Sequence, residues 1–159
     1  WVINDSAQPV AGTLVAQRLD FAGKALGKLQ AEVSVKPGEA KRCLDTTALG
    51  EISLRSQFLH AAFAGQESTC LLIGERYLHL QPAHLTARLA DGRLEVVTDA
   101  FARQVTFEFD GVTGAVFADN FFDLIPGQQR TVAVLNPAGG HTLTVRALNA
   151  EPVRVAWTP

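Results

Sequence analysis

Several residue types are scarce in this sequence. Its 159 residues include no methionine, one tyrosine, two tryptophans and two cysteines. Since a natural translation product begins with methionine and this chain begins at Trp1, we expect a processed chain or a piece of a larger protein. Two cysteines are too few for a disulfide framework, so Cys43 and Cys70 are either one pair or two small buried residues. The compartment therefore stays open, with the periplasm or the cell exterior preferred to the cytoplasm.

A dominant charge and long apolar runs are also missing. The chain carries 14 Lys and Arg against 16 Asp and Glu, a formal net charge of -2. Without a basic stripe there is no electrostatic case for binding nucleic acid or an anionic membrane. The longest apolar runs, residues 70–73 and 132–135, are far shorter than the ~20 residues of a membrane span. We therefore expect no nucleic-acid partner and no membrane partner.

What the sequence has in quantity is alternation with a period of two. Apolar residues take every second position in several segments, and polar residues stand between them. Such alternation is typical of antiparallel strands that bury one face and expose the other. The clearest runs are Leu29, Ala31, Val33 and Val35; Val105, Phe107 and Phe109; and Leu143, Val145 and Ala147.

Turn signals rich in Pro, Gly and Asp separate these segments. About seven short strands in roughly 75–80 residues are typical of an immunoglobulin-like or fibronectin-like sandwich. We therefore predict an all-β chain of two tandem immunoglobulin-like antiparallel sandwiches, with domains 1–82 and 83–159 meeting near Gln81-Pro82. The best helical candidate is 47–54. The predicted strands are 2–4, 13–21, 29–36, 41–44, 58–63, 70–73, 75–80, 85–89, 93–98, 103–110, 115–118, 129–135, 141–148 and 153–157.

The four histidines are the first candidates for metal chemistry. His79 and His84 are close in sequence, but ligands on one strand face would be two or four residues apart. We therefore predict no metal site. The remaining interpretation is that these side chains are solvated or singly hydrogen-bonded, and it applies to His60, His79, His84 and His141.

Four aspartates of the second half, Asp99, Asp110, Asp119 and Asp123, fall in predicted loops or at the end of a predicted strand. A glycosidase needs two carboxylates facing one bond, and calcium also prefers loop oxygens. However, Asp119 and Asp123 enclose two phenylalanines, which is poor chemistry for a calcium loop, and loop aspartates commonly cap turns. We predict no catalytic residue, no metal ligand and no cofactor in this chain.

Carbohydrate binding would require exposed aromatic platforms. Trp1, Tyr77 and Trp157 are the only Trp and Tyr residues. The tryptophans lie near the chain ends, and Trp157 continues an apolar alternation with Val153 and Val155. We interpret the tryptophans as core or junction packing. A carbohydrate-binding or adhesion-type immunoglobulin-like module is the alternative function.

The segment 119–127 reads Asp-Asn-Phe-Phe-Asp-Leu-Ile-Pro-Gly. Aromatic and acidic side chains this close together must face different ways. We predict an edge or corner of a sandwich, with Phe121 or Phe122 buried as an anchor and the acids outside. The Pro126-Gly127 pair is expected to turn the chain into the next strand.

This segment also resembles a recognisable feature of the final domain in family 2 glycoside hydrolases of the β-mannosidase type. The stretch 97–103, VTDAFAR, resembles the Asp-x-Phe-Ala feature of the same domain. Residues 1–14, WVINDSAQPVAGTL, resemble the opening of an immunoglobulin-like domain in these enzymes. Residues 76–85, RYLHLQPAHL, stand where those proteins pass from one sandwich to the next, so the resemblance covers nearly the whole chain.

The resemblance implies a parent enzyme that hydrolyses terminal non-reducing β-D-mannose residues with retention. In this family a glutamate acid/base and a glutamate nucleophile belong to a (β/α)8 barrel that precedes the two terminal sandwiches. Nothing in this sequence alternates strand and helix in that way, so neither residue is carried over. The resemblance therefore implies a non-catalytic scaffold. Its partners would be the upstream barrel of the same polypeptide and, through the parent enzyme, mannosides.

Overall fold

The computed structural model describes residues 1–157. They are built almost entirely from antiparallel strands, with two 3-10 turns at Thr46–Leu49 and Glu75–Tyr77 and no α-helix among them. The chain divides into two compact units, Trp1–His79 and the residues from Leu80 onward. Among the described residues, no helix has the length and apolarity needed to cross a membrane. The expected all-β class is confirmed.

Six strands form the first unit: β1 (Val2–Ile3), β2 (Val10–Asp20), β3 (Ala25–Val35), β4 (Ala40–Lys41), β5 (Gln57–Phe63) and β6 (Gln66–Cys70). The larger sheet has the order β3-β2-β5-β6, and all of its neighbouring strands are antiparallel. The smaller sheet pairs β1 with β4 over two residues of each strand. The second layer of this unit is therefore much smaller than the first.

A small apolar core lies on one face of the larger sheet. Leu14, Val33 and Val35 are buried there, and Val2 and Phe63 pack against them partly buried. Val33 and Val35 stand two residues apart on β3, so the pleat directs both side chains to the same face. The alternation in the sequence thus predicts the buried side of β3.

Asn4 connects the end of β1 to the larger sheet. Its side chain is buried, and its Nδ2 donates to the carbonyl oxygens of Gln8 at 2.8 Å and Val35 at 3.1 Å. Its Oδ1 accepts from the N–H and the hydroxyl of Ser6. Because burial without partners would be costly, these bonds explain why an amide occupies this position.

Eight strands form the second unit: β7 (Leu85–Ala90), β8 (Arg93–Thr98), β9 (Ala102–Phe109), β10 (Val116–Phe117), β11 (Phe122–Leu124), β12 (Arg130–Asn136), β13 (Thr142–Ala147) and β14 (Ala150–Ala156). They make two four-stranded antiparallel sheets, β10-β12-β8-β7 and β11-β9-β13-β14. This unit is a sandwich with two sheets of equal strand number.

The core of the second unit receives alternate residues from both sheets. Gly140 stands against it, because a Cβ added there would lie 2.4 to 2.6 Å from atoms of Phe109. Only a residue without a side chain allows this close approach. The most deeply buried residues of this core are Leu94, Val96, Ala102, Val105, Val132, Leu143 and Val145.

The strand predictions are confirmed for most elements, but β11 was not predicted, the strand predicted at 41–44 shares only Lys41 with β4, and two further predictions are wrong. Residues 75–80 were expected as a strand, but Glu75–Tyr77 is a 3-10 turn. The candidate at 70–73 lies mostly beyond the observed β6, which is largely exposed and has the polar sequence QESTC. An edge strand exposed on both faces has no apolar alternation, which explains why the sequence pattern did not mark β6 at its observed position. The helical candidate 47–54 is reduced to the 3-10 turn Thr46–Leu49.

Candidate functional site

The segment 119–127 is an edge of the second unit, as predicted, but its side chains are arranged differently from the prediction. Phe121 is 72% exposed and has a φ of 62°, whereas Phe122 is partly buried. A left-handed backbone conformation is uncommon for a bulky residue and costs roughly 1–2 kcal/mol. The anchor is therefore Phe122, and Phe121 is held outward by the bonds around it.

Asn120 supplies the bonds that fix this conformation. Its Oδ1 accepts from the backbone N–H of Phe107 at 3.0 Å, and its Nδ2 donates to the carbonyl oxygen of the same residue at 3.3 Å. The amide thus takes the place of a strand residue beside β9. The next residue continues the pairing, because the Phe121 N–H donates to the Val105 carbonyl oxygen at 2.9 Å.

Asp123 is not outside, so this part of the prediction is wrong. Its side chain is only 13% exposed, and both carboxylate oxygens accept from Nη1 of Arg103, at 2.6 and 2.8 Å. One oxygen also accepts the Gln104 backbone N–H at 3.0 Å. Gln104 has a φ of 53° at a bulge where the pairing of β9 with β11 shifts register. The carboxylate therefore stabilises the bulge and serves a structural role.

Asp119 lies at the other end of the segment and is more exposed. It accepts from Nη2 of Arg130 at 2.5 Å, in a pair whose side chains are 49% and 37% exposed for the arginine and the aspartate. The Arg130 guanidinium also lies over the Phe122 ring, 5.2 Å from its centroid. The arginine thus covers the anchoring aromatic from the solvent side.

Behind this edge the aromatic rings pack as a continuous series. Phe122 and Phe117 each lie beside Phe107, with centroids 5.7 and 5.6 Å apart. Phe117 stacks on Phe109 at 5.9 Å, and Phe109 meets Trp157 edge to face at 5.6 Å. Trp157 is buried in the core, so the predicted core role of this tryptophan is confirmed. These separations are those of favourable aromatic pairs.

The remaining two aspartates have other partners. Asp110 accepts from the hydroxyl of Thr144 and lies 3.3 Å from Nε of Arg154. Asp99 accepts the backbone N–H of His84 and contacts Nδ1 of the same residue, both at 2.7 Å. The backbone bond first, and the side-chain bond second, hold the pKa of the exposed Asp99 carboxyl below its ordinary value.

The histidines do not gather into a site. His84 is exposed in its pair with Asp99, and His79 and His141 are exposed as well. His60 is buried instead, with Nε2 3.5 Å from a carboxylate oxygen of Glu67. The histidines were predicted to be solvated or singly hydrogen-bonded, and the burial of His60 was not predicted. Within residues 1–157, no group of three or more His, Cys, Asp or Glu side chains is placed to hold a metal ion.

The cysteines and the exposed aromatics complete the candidate list. Cys43 and Cys70 are free thiols, the first partly buried and the second exposed, so the two-buried-residues alternative is not met either. Trp1 is 79% exposed, which contradicts its predicted packing role. Tyr77 is 48% exposed, and the Arg76 guanidinium lies 4.7 Å from its ring centroid.

Two structural features escaped the sequence reasoning. The partners of Asp123 and Asp119 are Arg103 and Arg130, which are distant in sequence and became neighbours only through strand pairing. The second feature is the Asn120 side chain, which bonds to the Phe107 backbone of β9 and so continues the pairing that β11 makes with that strand. No local sequence pattern marks either feature, because each depends on partners that strand pairing brings together.

The fold has counterparts in known proteins. Residues 80–151 match the family model Ig_mannosidase, described as an Ig-fold domain. A comparison with curated proteins gives no match. The solved β-D-mannosidase of Dictyoglomus thermophilum is similar over 94% of this chain and 20% of its own, with a TM-score of 0.72 and 15% identity.

A second similar structure is the exo-chitosanase of Amycolatopsis orientalis. It matches 98% of this chain and 25% of its own, with a TM-score of 0.62 and 13% identity. A complex of the same enzyme with PNP-β-D-glucosamine gives a TM-score of 0.63. The chain thus spans about a fifth to a quarter of the solved proteins that it matches.

These likenesses establish the fold, and the match to Ig_mannosidase covers the edge described above. The predicted class of tandem immunoglobulin-like sandwiches is confirmed. The resemblance inferred from the sequence is confirmed as well: this chain resembles the immunoglobulin-like domains of glycoside hydrolases of the β-mannosidase type, and its residues 80–151 match the Ig-fold family model Ig_mannosidase.

Proposed function

We propose that this chain is the non-catalytic C-terminal sandwich region of a retaining β-mannosidase. The match of residues 80–151 to Ig_mannosidase carries the proposal. Its parent enzyme would remove terminal non-reducing β-D-mannose residues, with the catalytic pair in an upstream barrel. The region would act as a scaffold that buries apolar surface against that barrel and shapes the rim of the substrate pocket.

The state of the carboxylates supports a structural role. A retaining glycosidase needs two carboxylates about 5–5.5 Å apart with a sugar between them. Here the Asp123 carboxylate accepts bonds from Arg103 and from the backbone N–H of Gln104 at the bulge, and Asp119 is paired with Arg130. Asp110 and Asp99 bond to groups of their own surroundings, Thr144 and His84. Each acid thus stabilises a loop or an edge, so catalysis is assigned to the rest of the polypeptide.

A carbohydrate-binding module is the second candidate, and exposed Trp1 is the observation that favours it. Binding of a glycan chain usually requires several aromatic faces that act together. Trp157 is buried and therefore cannot contribute to such a platform, and the Arg76 guanidinium lies over the face of the Tyr77 ring. One free indole is a poor platform, so the scaffold role is the better supported function.

Activity measurements with two lengths of protein test the proposal. The complete natural polypeptide that contains this region should hydrolyse nitrophenyl β-D-mannoside, and the 159-residue chain should not. Purified 159-residue chain that retains turnover, or a complete polypeptide inactive on β-mannosides, would contradict it. Calorimetry of the 159-residue chain with manno-oligosaccharides distinguishes the two candidates. A scaffold should give no heat of binding, whereas a carbohydrate-binding module should give one.

The domain limits 1–82 and 83–159 are part of the same proposal. Gln81 and Pro82 are exposed, and Gln81 is tied to the second unit through its carbonyl oxygen, which accepts from Asn149 at 2.6 Å. Limited proteolysis of the 159-residue chain should therefore produce stable fragments that end near these residues. First cuts inside either predicted domain would show that the limits lie elsewhere.

A further inference from the structure

The first unit has a groove on the face that its small second sheet leaves open. The groove has a volume of about 690 Å³ and is lined by residues 1–6 along one side and by β5 and β6 along the other. Its floor includes Leu14, Ala61 and Phe63. Ala61 and Phe63 are two residues apart on β5 and therefore share one face of the larger sheet.

The side of β1 that faces this groove is an open strand edge. The strand pairs with β4 through Val2 and Ile3, and its continuation at Asn4 exchanges bonds with Glu39 and Gly38. In an antiparallel ladder, residues that bond to one neighbour alternate with residues whose N–H and C=O point the other way. Since Asn4 bonds toward β4, the N–H and C=O of Ile3 point away from β4. No residue of β4 lines the groove, so these groups lie on its side.

The side chains beside this edge are apolar and solvated. Ile3 is 65% exposed and Trp1 is 79% exposed. A free edge with large apolar side chains is a template for adding another strand, which soluble proteins normally cover or charge. Both halves of a strand-addition site are therefore present, namely unpaired backbone groups and an apolar floor for alternate side chains.

We propose that this groove receives an extended segment from the catalytic part of the same polypeptide, which adds a third strand to the β1–β4 sheet. The inference rests on the proposed function, and it names the partner of the scaffold. Solved relatives contain this region as only 20% to 25% of their chains, so most of such a polypeptide lies outside it. A tethered segment binds at high effective concentration, so pairing along the short edge of β1 can hold it.

The groove also specifies the character of the segment. Side chains directed to the floor meet Leu14, Ala61 and Phe63 and must be apolar, while the intervening side chains face outward. Asp5 and Glu67 line the rim and place negative charge there. The segment therefore has apolar residues at alternating positions and polar or basic residues between them.

Photo-crosslinking in the complete natural polypeptide tests this inference. A benzoylphenylalanine introduced at position 3 in place of Ile3 should cross-link, on irradiation, to a residue outside the 159-residue region, which mass spectrometry identifies. The matched control is the same probe at Leu135, an exposed apolar residue of the second unit at 64% exposure. Capture confined to residues 1–157, capture of a second copy, or capture of one segment equally from both positions would overturn the proposal.

A substitution provides a second test, which does not depend on the cross-linking probe. Ile3→Asp should leave the thermal midpoint of the 159-residue chain unchanged, because Ile3 is exposed there. In the complete polypeptide it should lower the midpoint and speed amide exchange in residues 1–6, because an acidic side chain with low strand propensity would replace an apolar β-branched one beside the added strand. Unchanged exchange there overturns the strand addition. An active polypeptide without the cross-link overturns this inference alone, whereas an inactive one overturns the proposed function.

Discussion

The two units reach similar size by different means. The second has two four-stranded sheets, and the first has one four-stranded sheet with only the β1–β4 pair as its second layer. Val105 and Phe107 are buried in the second unit, whereas Phe63 of the first is only partly buried beside an open groove. Burial of apolar surface is the main stabilising contribution to either unit. The core of the second unit thus lies between two four-stranded sheets, whereas apolar side chains of the first unit remain exposed beside its groove.

The largest expected effect compares one aromatic from each unit. Phe107→Ala should lower the free energy of unfolding of the second unit by about 3–5 kcal/mol, because a fully buried ring leaves a cavity. Phe63→Ala should cost the first unit only about 1–2 kcal/mol, because solvent already reaches its ring. Urea unfolding with amide exchange resolved for each unit measures both. Equal losses would show that the two cores are equally closed.

The next effect compares two glycines. In Gly140→Ala the new methyl would lie within 2.6 Å of several Phe109 atoms, so the ring must move. We expect a loss of about 1–3 kcal/mol, as for other overpacked cores. Gly12→Ala meets nothing closer than the Phe63 ring at 3.9 Å and should gain about 0.5 kcal/mol from the reduced freedom of the unfolded chain.

The same unfolding measurements decide this pair of glycine variants. A destabilising Gly12→Ala would mean that the first unit is more tightly packed beside its groove than its exposed side chains indicate. A neutral Gly140→Ala would mean that Phe109 moves without cost, and the second core would then be looser than its burial suggests. Either outcome would reduce the contrast between the units.

A third effect lies within the second unit and compares its two acidic edge residues. Asp123→Asn removes the charge that pairs with Arg103 at a side chain only 13% exposed, and it weakens the bond to Gln104 at the bulge. A loss of about 1–3 kcal/mol is expected. Asp119→Asn breaks a more exposed pair and should cost no more than about 1 kcal/mol. Thermal unfolding of the two variants gives the ranking, and a reversed order would reject the structural role of Asp123.

The sequence predicted the strands of the second unit better than those of the first, for a physical reason. In β8 the burial of Leu94 and Val96 follows the apolar alternation directly, and the predicted bounds equal those observed. In the first unit β6 has exposed polar residues, so no alternation marks it. Trp1 is exposed although its type suggests a core. Alternation reports the burial of one strand face, so it gives no signal for a strand that is exposed on both faces.

The edge at 119–127 could be predicted only in part. Its position and the turn at Pro126-Gly127 follow from local rules, and the turn is observed with Gly127 at a φ of 80° and a bond from Gln128 to Ile125. The burial of Asp123 depends on Arg103, which is brought near by strand pairing across a bulge. One extra residue in β9 reverses the side-chain phase, and nothing in the local pattern announces it.

The smallest effect concerns a loop acid, Asp99, whose bonds resemble those of Asp45 in the first unit. Each accepts bonds from one threonine or histidine residue, through its backbone N–H and its side chain, and each has a lowered carboxyl pKa. For Asp99 the backbone bond from His84 is the largest cause, and for Asp45 the side-chain bond from Thr47 is. His84→Ala should therefore keep the largest contribution to the lowered Asp99 pKa, while Thr47→Ala should remove the largest contribution to the lowered Asp45 pKa.

Carboxyl-carbon NMR titration of both variants reads this difference directly. Because the folded-state pKa is depressed, the bonds stabilise the folded state above the ordinary value of about 3.9, and this contribution is lost as the pH falls through the folded-state pKa. The wild-type Asp99 and Asp45 resonances should thus titrate below the ordinary value. If His84→Ala returned the pKa of Asp99 to that value, the imidazole would be the main partner. The Asp99 loop would then depend on side-chain contacts to the same degree as the Asp45 turn.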